Sequence, residues 1–281
     1  MMSQTVHEFG GEGVPLHLAV ANGFPPGAYA PLASALTARC RVFSLPPRPL
    51  WRNPPPPASI ADWAALADDL LAAFEQQHLD SVIAAGHSFG GVISLIAAAR
   101  TPARFRALIL LDPTLFVPAF FAQIEALRRN SDPARLPLVE GALNRRAHFS
   151  DRAEAFRYWR AKPLFYDWDD DALRCYVEAA TTPAPGGGFT LVWSPAWEAR
   201  IFATVQTDTW DYVDRLPAAL PILLVRGSDS QTMRSEAATL MREKLANLDY
   251  AEIAGGHLFP HSAPNETARV MLEWLDGRGL L

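Results

Sequence analysis

The chain lacks several features that would indicate particular classes of protein. It has only two cysteines, Cys40 and Cys175, which are too few and too far apart to indicate a disulfide framework or a zinc site. Its formal net charge is -5 and its basic residues form no stripe, so nucleic acid is not an expected partner. No apolar run reaches the length of a membrane span, and the N-terminal residues lack the charged and apolar regions of a signal peptide. We therefore expect a cytoplasmic protein with no membrane partner.

The composition that is present is that of an ordinary globular protein. Hydrophobic residues make up 49% of the chain and charged residues 20%, and 281 residues suffice for one large core with an inserted subdomain. Apolar runs at 82–85, 107–111 and 221–225 predict buried strands, and the apolar spacing of 60–74 predicts an amphipathic helix with Ser59 as its N-cap. Strands that alternate with helices predict an α/β fold with a mostly parallel central sheet flanked by helices.

The stretch from 82 to 99, VIAAGHSFGGVISLIAAA, combines three signals in a fixed order. An apolar strand-like run meets a Gly-x-Ser-x-Gly turn, and an alanine-rich segment with helical spacing follows. Such a turn holds its central residue in a strained conformation, and side chains at the flanking glycine positions would collide with the strand and the helix. The pattern therefore predicts that Ser88 stands exposed at the tip, with the backbone N–H of Phe89 beside it at a helix N-terminus.

The character of the sequence changes between about 114 and 219. Strand-like runs disappear, helical segments carry many aromatic residues, and the TPAPGGGF stretch at 182–189 divides the region. We expect a mainly helical cap subdomain at 114–219, inserted into a core domain formed by 1–113 and 220–281. Most of the aromatic residues would pack the cap onto the core, and Phe116 and Trp159 are expected to line a substrate pocket.

A serine hydroxyl needs a base to take its proton, and the base needs an acid to orient it. His257 lies in a glycine-rich loop near the C-terminus, in the expected order after the serine. With NGFPPG at 22–27, GHSFGG at 86–91, RGSD at 226–229 and GGHLFP at 255–260, the chain resembles the α/β-hydrolase family over essentially its whole length. The resemblance implies that Ser88 is the nucleophile and His257 the general base, with no metal or organic cofactor.

The third member of the triad has two candidates. In the family that the chain resembles, the acid usually follows the strand at 221–225, three residues after a glycine. Here Ser230 holds that spacing and Asp229 comes one position earlier. Asp112, at the end of the preceding strand, is the alternative, because some lipases of this fold carry their acid there. We favour Asp229 and keep Asp112 as the alternative acid.

The same resemblance places the second oxyanion donor in the loop at 22–27. The backbone N–H of Phe24 would pair with that of Phe89, and each such donor is typically worth roughly 3–4 kcal/mol of transition-state stabilisation. Asn22 replaces the histidine common in family members and would brace the loop through its amide. Together with the cap residues named above, Asn22, Phe24 and Phe89 are the expected substrate contacts.

These expectations describe a serine hydrolase that cleaves an ester or related acyl bond of a small, largely apolar substrate through an acyl-enzyme. Carboxylesterase, thioesterase, lactonase, carbon–carbon bond hydrolase and perhydrolase activity are not separated by the sequence, because fold and family do not fix the substrate. A non-catalytic ligand receptor on the same scaffold is a further alternative, which the presence of both Ser88 and His257 disfavours. The sequence leaves open whether the chain forms a homo-oligomer.

Overall fold

The computed structural model describes residues 6–130 and 136–281. Seven strands form one central sheet. The short alternating segment from Thr5 to Phe9 predicts the first strand, and Thr5 lies outside the described residues. The strands of this sheet are β1 (His7–Gly10), β2 (Val14–Ala19), β3 (Cys40–Ser44), β4 (Val82–His87), β5 (Phe105–Leu111), β9 (Ile222–Gly227) and β10 (Leu248–Ile253), numbered in chain order. Their spatial order is β1-β3-β2-β4-β5-β9-β10.

The sheet is parallel except at one edge. Strand β1 pairs antiparallel with β3, and every other neighbouring pair is parallel. Strand β4 lies in the middle, between β2 and β5, and all six of its residues are buried. The predicted fold class is confirmed: long apolar runs without alternation become strands covered on both faces.

Helices flank the sheet on both faces, as predicted. These helices are α1 (Ala30–Leu36), α2 (Ala64–Gln76), α3 (Phe89–Arg100), α10 (Ser235–Lys244), α11 (Phe259–Ser262) and α12 (Pro264–Gly277). Helix α1 contacts α12, and α2 contacts α3. The predicted N-cap at Ser59 is wrong, because Ser59 ends a short 3-10 turn and α2 begins at Ala64. The Asp62 carboxylate accepts the Ala65 N–H at 3.2 Å beside the first turn, and the N-cap residue itself, Trp63, makes no side-chain capping hydrogen bond.

Between β5 and β9 the chain runs through a segment that we call the inserted segment, residues 114–219. Its helices are α4 (Pro118–Asn130), α5 (Pro137–Leu143), α6 (Arg152–Arg160), α7 (Asp170–Ala180), α8 (Pro195–Ala203) and α9 (Thr209–Val213). A small antiparallel sheet is added by β6 (His148–Phe149), β7 (Thr181–Pro183) and β8 (Phe189–Leu191), which the sequence did not predict. The glycine-rich stretch at 182–189 forms the turn between β7 and β8. The division into a core and a cap domain stays a prediction.

The inserted segment shares its hydrophobic core with the sheet domain. Phe165, Trp168 and Tyr176 are buried in the same cluster as the strand residues Leu18 and Leu110. Because large aromatic side chains bury much apolar surface, this packing contributes strongly to holding the segment in place. Within residues 6–130 and 136–281, no helix has both the length and the apolar character needed to cross a bilayer.

Candidate active site

Ser88 lies at the junction of β4 and α3, and its backbone is strained. Its φ of 56° and ψ of -120° fall in a region that non-glycine residues rarely adopt. The conformation is held by hydrogen bonds, since the Ser88 N–H donates to Leu111 O at 3.0 Å and its carbonyl accepts the Gly91 N–H at 3.1 Å. At Gly90 a Cβ atom would lie 2.5 Å from the carbonyl oxygen of Ala19, so only glycine fits there. The strand, turn and helix predicted around Ser88 are therefore present, but Ser88 is only 8% exposed, so the expectation that it stands exposed at the tip is wrong.

His257 and Asp112 form a continuous hydrogen-bond chain with Ser88. The Nε2 atom of His257 is 2.9 Å from Ser88 Oγ, and its Nδ1 atom is 2.7 Å from Asp112 Oδ2. His257 is in the loop between β10 and α11, with a side chain 25% exposed, whereas Asp112 is fully buried. An imidazole held at Nδ1 by a carboxylate presents a free Nε2 lone pair to a hydroxyl.

Asp112 is fixed by contacts at both carboxylate oxygens. It follows β5 directly, and β5 pairs with β9, so the ends of these two strands lie side by side. Asp112 Oδ1 accepts the backbone N–H of Gly227 at 2.9 Å. Asp112 Oδ2 accepts the hydroxyl of Ser230 at 2.5 Å, besides its contact with His257. These bonds fix the orientation of the carboxylate.

The structure contradicts the preference for Asp229 as the acid. Asp229 is exposed, and the part of the chain that is described shows its backbone in two hydrogen bonds but no contact between its carboxylate and His257. The alternative acid Asp112 occupies the position beside His257 instead. Ser230, which holds the family spacing after Gly227, donates a hydrogen bond to that acid. Neighbouring parallel strands end at the same edge of the sheet, so both candidates follow strands near the histidine loop, and only the contact distances separate them.

The loop at Asn22–Phe24 faces the inserted segment. The Asn22 side-chain amide donates to the backbone carbonyl of Glu198 in α8 at 3.0 Å, which is a bracing contact of the kind expected. The Phe24 N–H donates to Ala21 O at 3.1 Å and closes a tight turn. Phe89 is the first residue of α3, so its N–H has no acceptor within the helix. The oxyanion roles of Phe24 and Phe89 stay predictions.

The Phe89 side chain is buried and packs edge-on against Trp63, with ring centroids 5.0 Å apart. Trp159 is also buried, inside the inserted segment, where its ring packs 4.9 Å from that of Tyr176. Phe116 is half-buried, and its carbonyl accepts the indole N–H of Trp210 at 2.8 Å. Contact of these three residues with a substrate stays a prediction. The packing shows that each contributes to the hydrophobic core.

The His87 side chain contacts the backbone of His257. Its Nε2 atom lies 3.0 Å from the backbone carbonyl of His257, and its Nδ1 atom lies 2.7 Å from the Tyr29 hydroxyl. The carbonyl requires an N–H donor, so the tyrosine hydroxyl donates to the other nitrogen and His87 is neutral. Burial holds the pKa of His87 well below its usual range, and the neighbouring His257 and His261 lower it further. These contacts give His87 a structural role.

Thr114 is a site residue that sequence reasoning missed. Its hydroxyl lies 3.1 Å from Ser88 Oγ, and its backbone N–H donates to the Ser88 carbonyl at 3.2 Å. Thr114 follows Asp112 by two residues, so recognition of Asp112 as the acid would have drawn attention to it. A second hydroxyl at this distance restricts the rotamer of Ser88.

Comparisons with known proteins find a matching family and several relatives. The model of the Alpha/beta hydrolase family matches residues 17–270. Lipase LipV of Mycobacterium tuberculosis is 26% identical over 216 residues, covering 74% of each chain. A putative carbamate hydrolase, RutD, of Azorhizobium caulinodans is 23% identical over 273 residues, covering 95% of this chain and 92% of the relative.

Among solved structures, an E-2-(acetamidomethylene)succinate hydrolase superposes with a TM-score of 0.79 at 20% identity, covering 96% of this chain and 94% of that one. At this identity the superposition shows the fold alone. The family model, by contrast, spans both the strained serine and the stretch up to and beyond the late histidine. The chain belongs to the alpha/beta hydrolase family.

Proposed function

We propose that this protein is a serine hydrolase that cleaves an ester or related acyl bond through a triad of Ser88, His257 and Asp112. The observation that carries the proposal is the hydrogen-bond chain of 2.9 Å from Ser88 Oγ to His257 Nε2 and 2.7 Å from His257 Nδ1 to Asp112 Oδ2. Its order matches what nucleophilic catalysis by serine requires: hydroxyl, imidazole, buried carboxylate. The hydrolase names of the relatives support the reaction class.

In the acylation step, Ser88 Oγ attacks the carbonyl carbon of the substrate while His257 Nε2 takes the hydroxyl proton. The carbonyl π electrons move to oxygen, and the backbone N–H groups of Phe89 and Phe24 donate to the resulting oxyanion. The Phe24 N–H, which also closes the turn at 3.1 Å from Ala21 O, shares its donation with the oxyanion, because a charged acceptor forms the stronger hydrogen bond. The intermediate collapses, the carbon–oxygen bond breaks, and His257 protonates the departing alcohol.

Deacylation repeats the sequence with water as the nucleophile. His257 removes a proton from water, the hydroxide attacks the acyl carbonyl, and the proton returns to Ser88 Oγ as the acid product leaves. Throughout, Asp112 remains ionised and stabilises the transient imidazolium through Nδ1. Its two further donors, Gly227 N–H and Ser230 Oγ–H, compensate the cost of burying the charge.

The character of the inserted segment supports a largely apolar substrate. Its buried aromatic residues Trp159, Phe165, Trp168 and Tyr176 form one packed group, which Phe24 of the oxyanion loop joins at 5.3 Å from Tyr176. Aromatic side chains packed beside the oxyanion loop favour apolar acyl or alcohol moieties. We therefore assign the segment as a cap over the site and a carboxylesterase-like activity as the leading one.

Active-site labelling with a fluorophosphonate tests the proposal directly. We expect one covalent adduct on Ser88 in the wild-type protein and none in Ser88→Ala, measured by intact-protein and peptide mass spectrometry. A folded wild-type protein that forms no adduct contradicts the proposal and favours a ligand receptor. A panel of p-nitrophenyl esters, thioesters and vinylogous ketones then separates esterase from thioesterase and carbon–carbon bond hydrolase activity by their relative kcat/KM.

A further inference from the structure

The oxyanion loop Asn22–Phe24 contacts the inserted segment at each of its three residues. The Asn22 amide donates to Glu198 O, and the Phe24 ring lies 5.3 Å from that of Tyr176. Between them, Gly23 lies against two charged side chains: a Cβ atom there would be 3.1 Å from Arg145 Nη1 and 3.1 Å from Glu198 Oε1. The loop is therefore bounded on this side by charged groups of the segment.

Arg145 and Glu198 form a largely buried ion pair at this contact. Their closest atoms, Nη1 and Oε2, are 2.6 Å apart, and their side chains are 18% and 12% exposed. Arg145 Nη2 also donates to the hydroxyl of the buried Tyr176. Burial disfavours the charge of Arg145, but Tyr176 and Glu198 more than offset this and raise its pKa above the usual range. Two charges taken out of water gain little net stability, so stability alone does not account for this pair.

The Arg145–Glu198 pair lies next to the peptide bond between Gly23 and Phe24. Gly23 has a φ of +81°, and the peptide that joins it to Phe24 carries the N–H assigned above as an oxyanion donor. The turn closed by the 3.1 Å bond to Ala21 O sets the direction of that N–H. A glycine without a side chain rotates easily, so the orientation of this peptide requires an external constraint. The Arg145–Glu198 pair lies where such a constraint is needed.

We infer that Arg145 and Glu198 are positioning residues that hold the oxyanion loop, so that the Phe24 N–H is oriented before substrate arrives. This inference rests on the proposed function of the site. Neither side chain touches the reacting atoms, and both act through Gly23. Donors fixed in advance stabilise an oxyanion more than donors that must reorient during the reaction. The inserted segment thus completes the catalytic machinery of the core as well as covering it.

Glu198→Gln and Arg145→Met test this inference, with Glu154→Gln as the matched control. Glu154 pairs with Arg146, the residue next to Arg145, but that pair is more exposed, at 29% and 42%. Three quantities are measured: kcat/KM for a p-nitrophenyl ester, Ki for a trifluoromethyl ketone that forms a tetrahedral adduct on Ser88, and amide hydrogen exchange in a peptide containing 20–27. Thermal unfolding identifies variants that fail to fold.

We expect Glu198→Gln and Arg145→Met to lower kcat/KM by about 10-fold or more, through kcat rather than KM, as loss of part of one oxyanion donor requires. Ki for the ketone should rise by the same factor, and exchange in the loop peptide should accelerate. Glu154→Gln should change each quantity less than 2-fold. Because glutamine keeps the size of Glu198 and one acceptor, this variant decides the question if Arg145→Met does not fold.

Unchanged ketone affinity together with unchanged loop exchange in Glu198→Gln overturns the inference. Failure of the proposed function is recognised separately, because the wild-type protein would then show neither ester hydrolysis nor a fluorophosphonate adduct. Hydrogen exchange needs no catalysis, so the constraint on the loop is tested in that case as well. Faster exchange in the loop peptide supports it, and equal exchange contradicts it.

Discussion

Replacement of Asp112 by asparagine tests the triad with the smallest change in shape. The two oxygens of the carboxylate have different partners: Oδ1 accepts the backbone N–H of Gly227, and Oδ2 faces Ser230 and His257. A backbone N–H cannot become an acceptor, so the oxygen of the new amide must take the Oδ1 position. The NH2 group of the amide is then directed at His257 Nδ1. The geometry thus fixes which way the amide turns.

The consequence for His257 is a reversed tautomer. With an N–H donor opposite it, Nδ1 must carry the lone pair, so Nε2 carries the proton and cannot accept one from Ser88 across the 2.9 Å contact. The wrong tautomer in a serine triad costs about 10⁴-fold in kcat. That factor corresponds to about 5.5 kcal/mol of transition-state stabilisation. We expect a loss of about 10³ to 10⁴-fold with little change in KM.

Steady-state hydrolysis of a p-nitrophenyl ester measures the effect, and Asp229→Asn is the control. Asp229 is exposed and its carboxylate makes no contact with His257, so this control should keep kcat within 2-fold of the wild-type value. Thermal unfolding and fluorophosphonate titration give the concentration of folded, competent enzyme. If Asp112→Asn retains more than a tenth of wild-type kcat while Asp229→Asn loses most of it, the assignment of the acid from the geometry is refuted.

Three further predictions follow from the surroundings of Ser230, Gly90 and His17. The double variant Asp112→Asn with Ser230→Asp should have a kcat about 10-fold or more above that of Asp112→Asn alone, because Ser230 Oγ lies 2.5 Å from Asp112 Oδ2 and a carboxylate at this position extends toward His257. The same ester assay measures kcat, and equal values for the single and double variants contradict the prediction. Gly90→Ala should lower the free energy of unfolding in urea by about 1–3 kcal/mol through overpacking, since its Cβ meets backbone oxygen at 2.5 Å, whereas Gly277→Ala, in open space, should not. Burial lowers the pKa of His17 to about 3, so below pH 6.5 the unfolded chain binds a proton that the folded chain does not, and the free energy of unfolding decreases as the pH decreases. His17→Leu should reduce this pH dependence, measured by denaturation between pH 6 and pH 4, by about 1.4 kcal/mol per pH unit. An unchanged pH dependence contradicts the reasoning.

The sequence was sufficient to predict local structure wherever the residues that cause that structure are contiguous in the chain. The serine turn is an example: apolar strand, glycine-flanked serine and helix are contiguous, and the predicted strained backbone is present at Ser88. The start of α2 shows the limit of such patterns. Apolar spacing predicted the helix, but its first turn begins after Trp63, where the Ala65 N–H donates to the Asp62 carboxylate, and not at the serine at position 59. Several residues near a helix start can act as caps, so composition alone does not choose among them.

By itself the sequence determined the α/β fold and the family, and it predicted the nucleophile and the base, because contiguous motifs and buried apolar runs encode them. Only the tertiary structure separated the two candidate acids. Asp112 and Asp229 both follow strands that end at one edge of the sheet, and distances across neighbouring strands, which no linear pattern contains, bring Asp112 and not Asp229 to His257. The same holds for Thr114, Arg145 and Glu198, whose contacts with Ser88 and Gly23 join residues 26 to 175 positions apart along the chain.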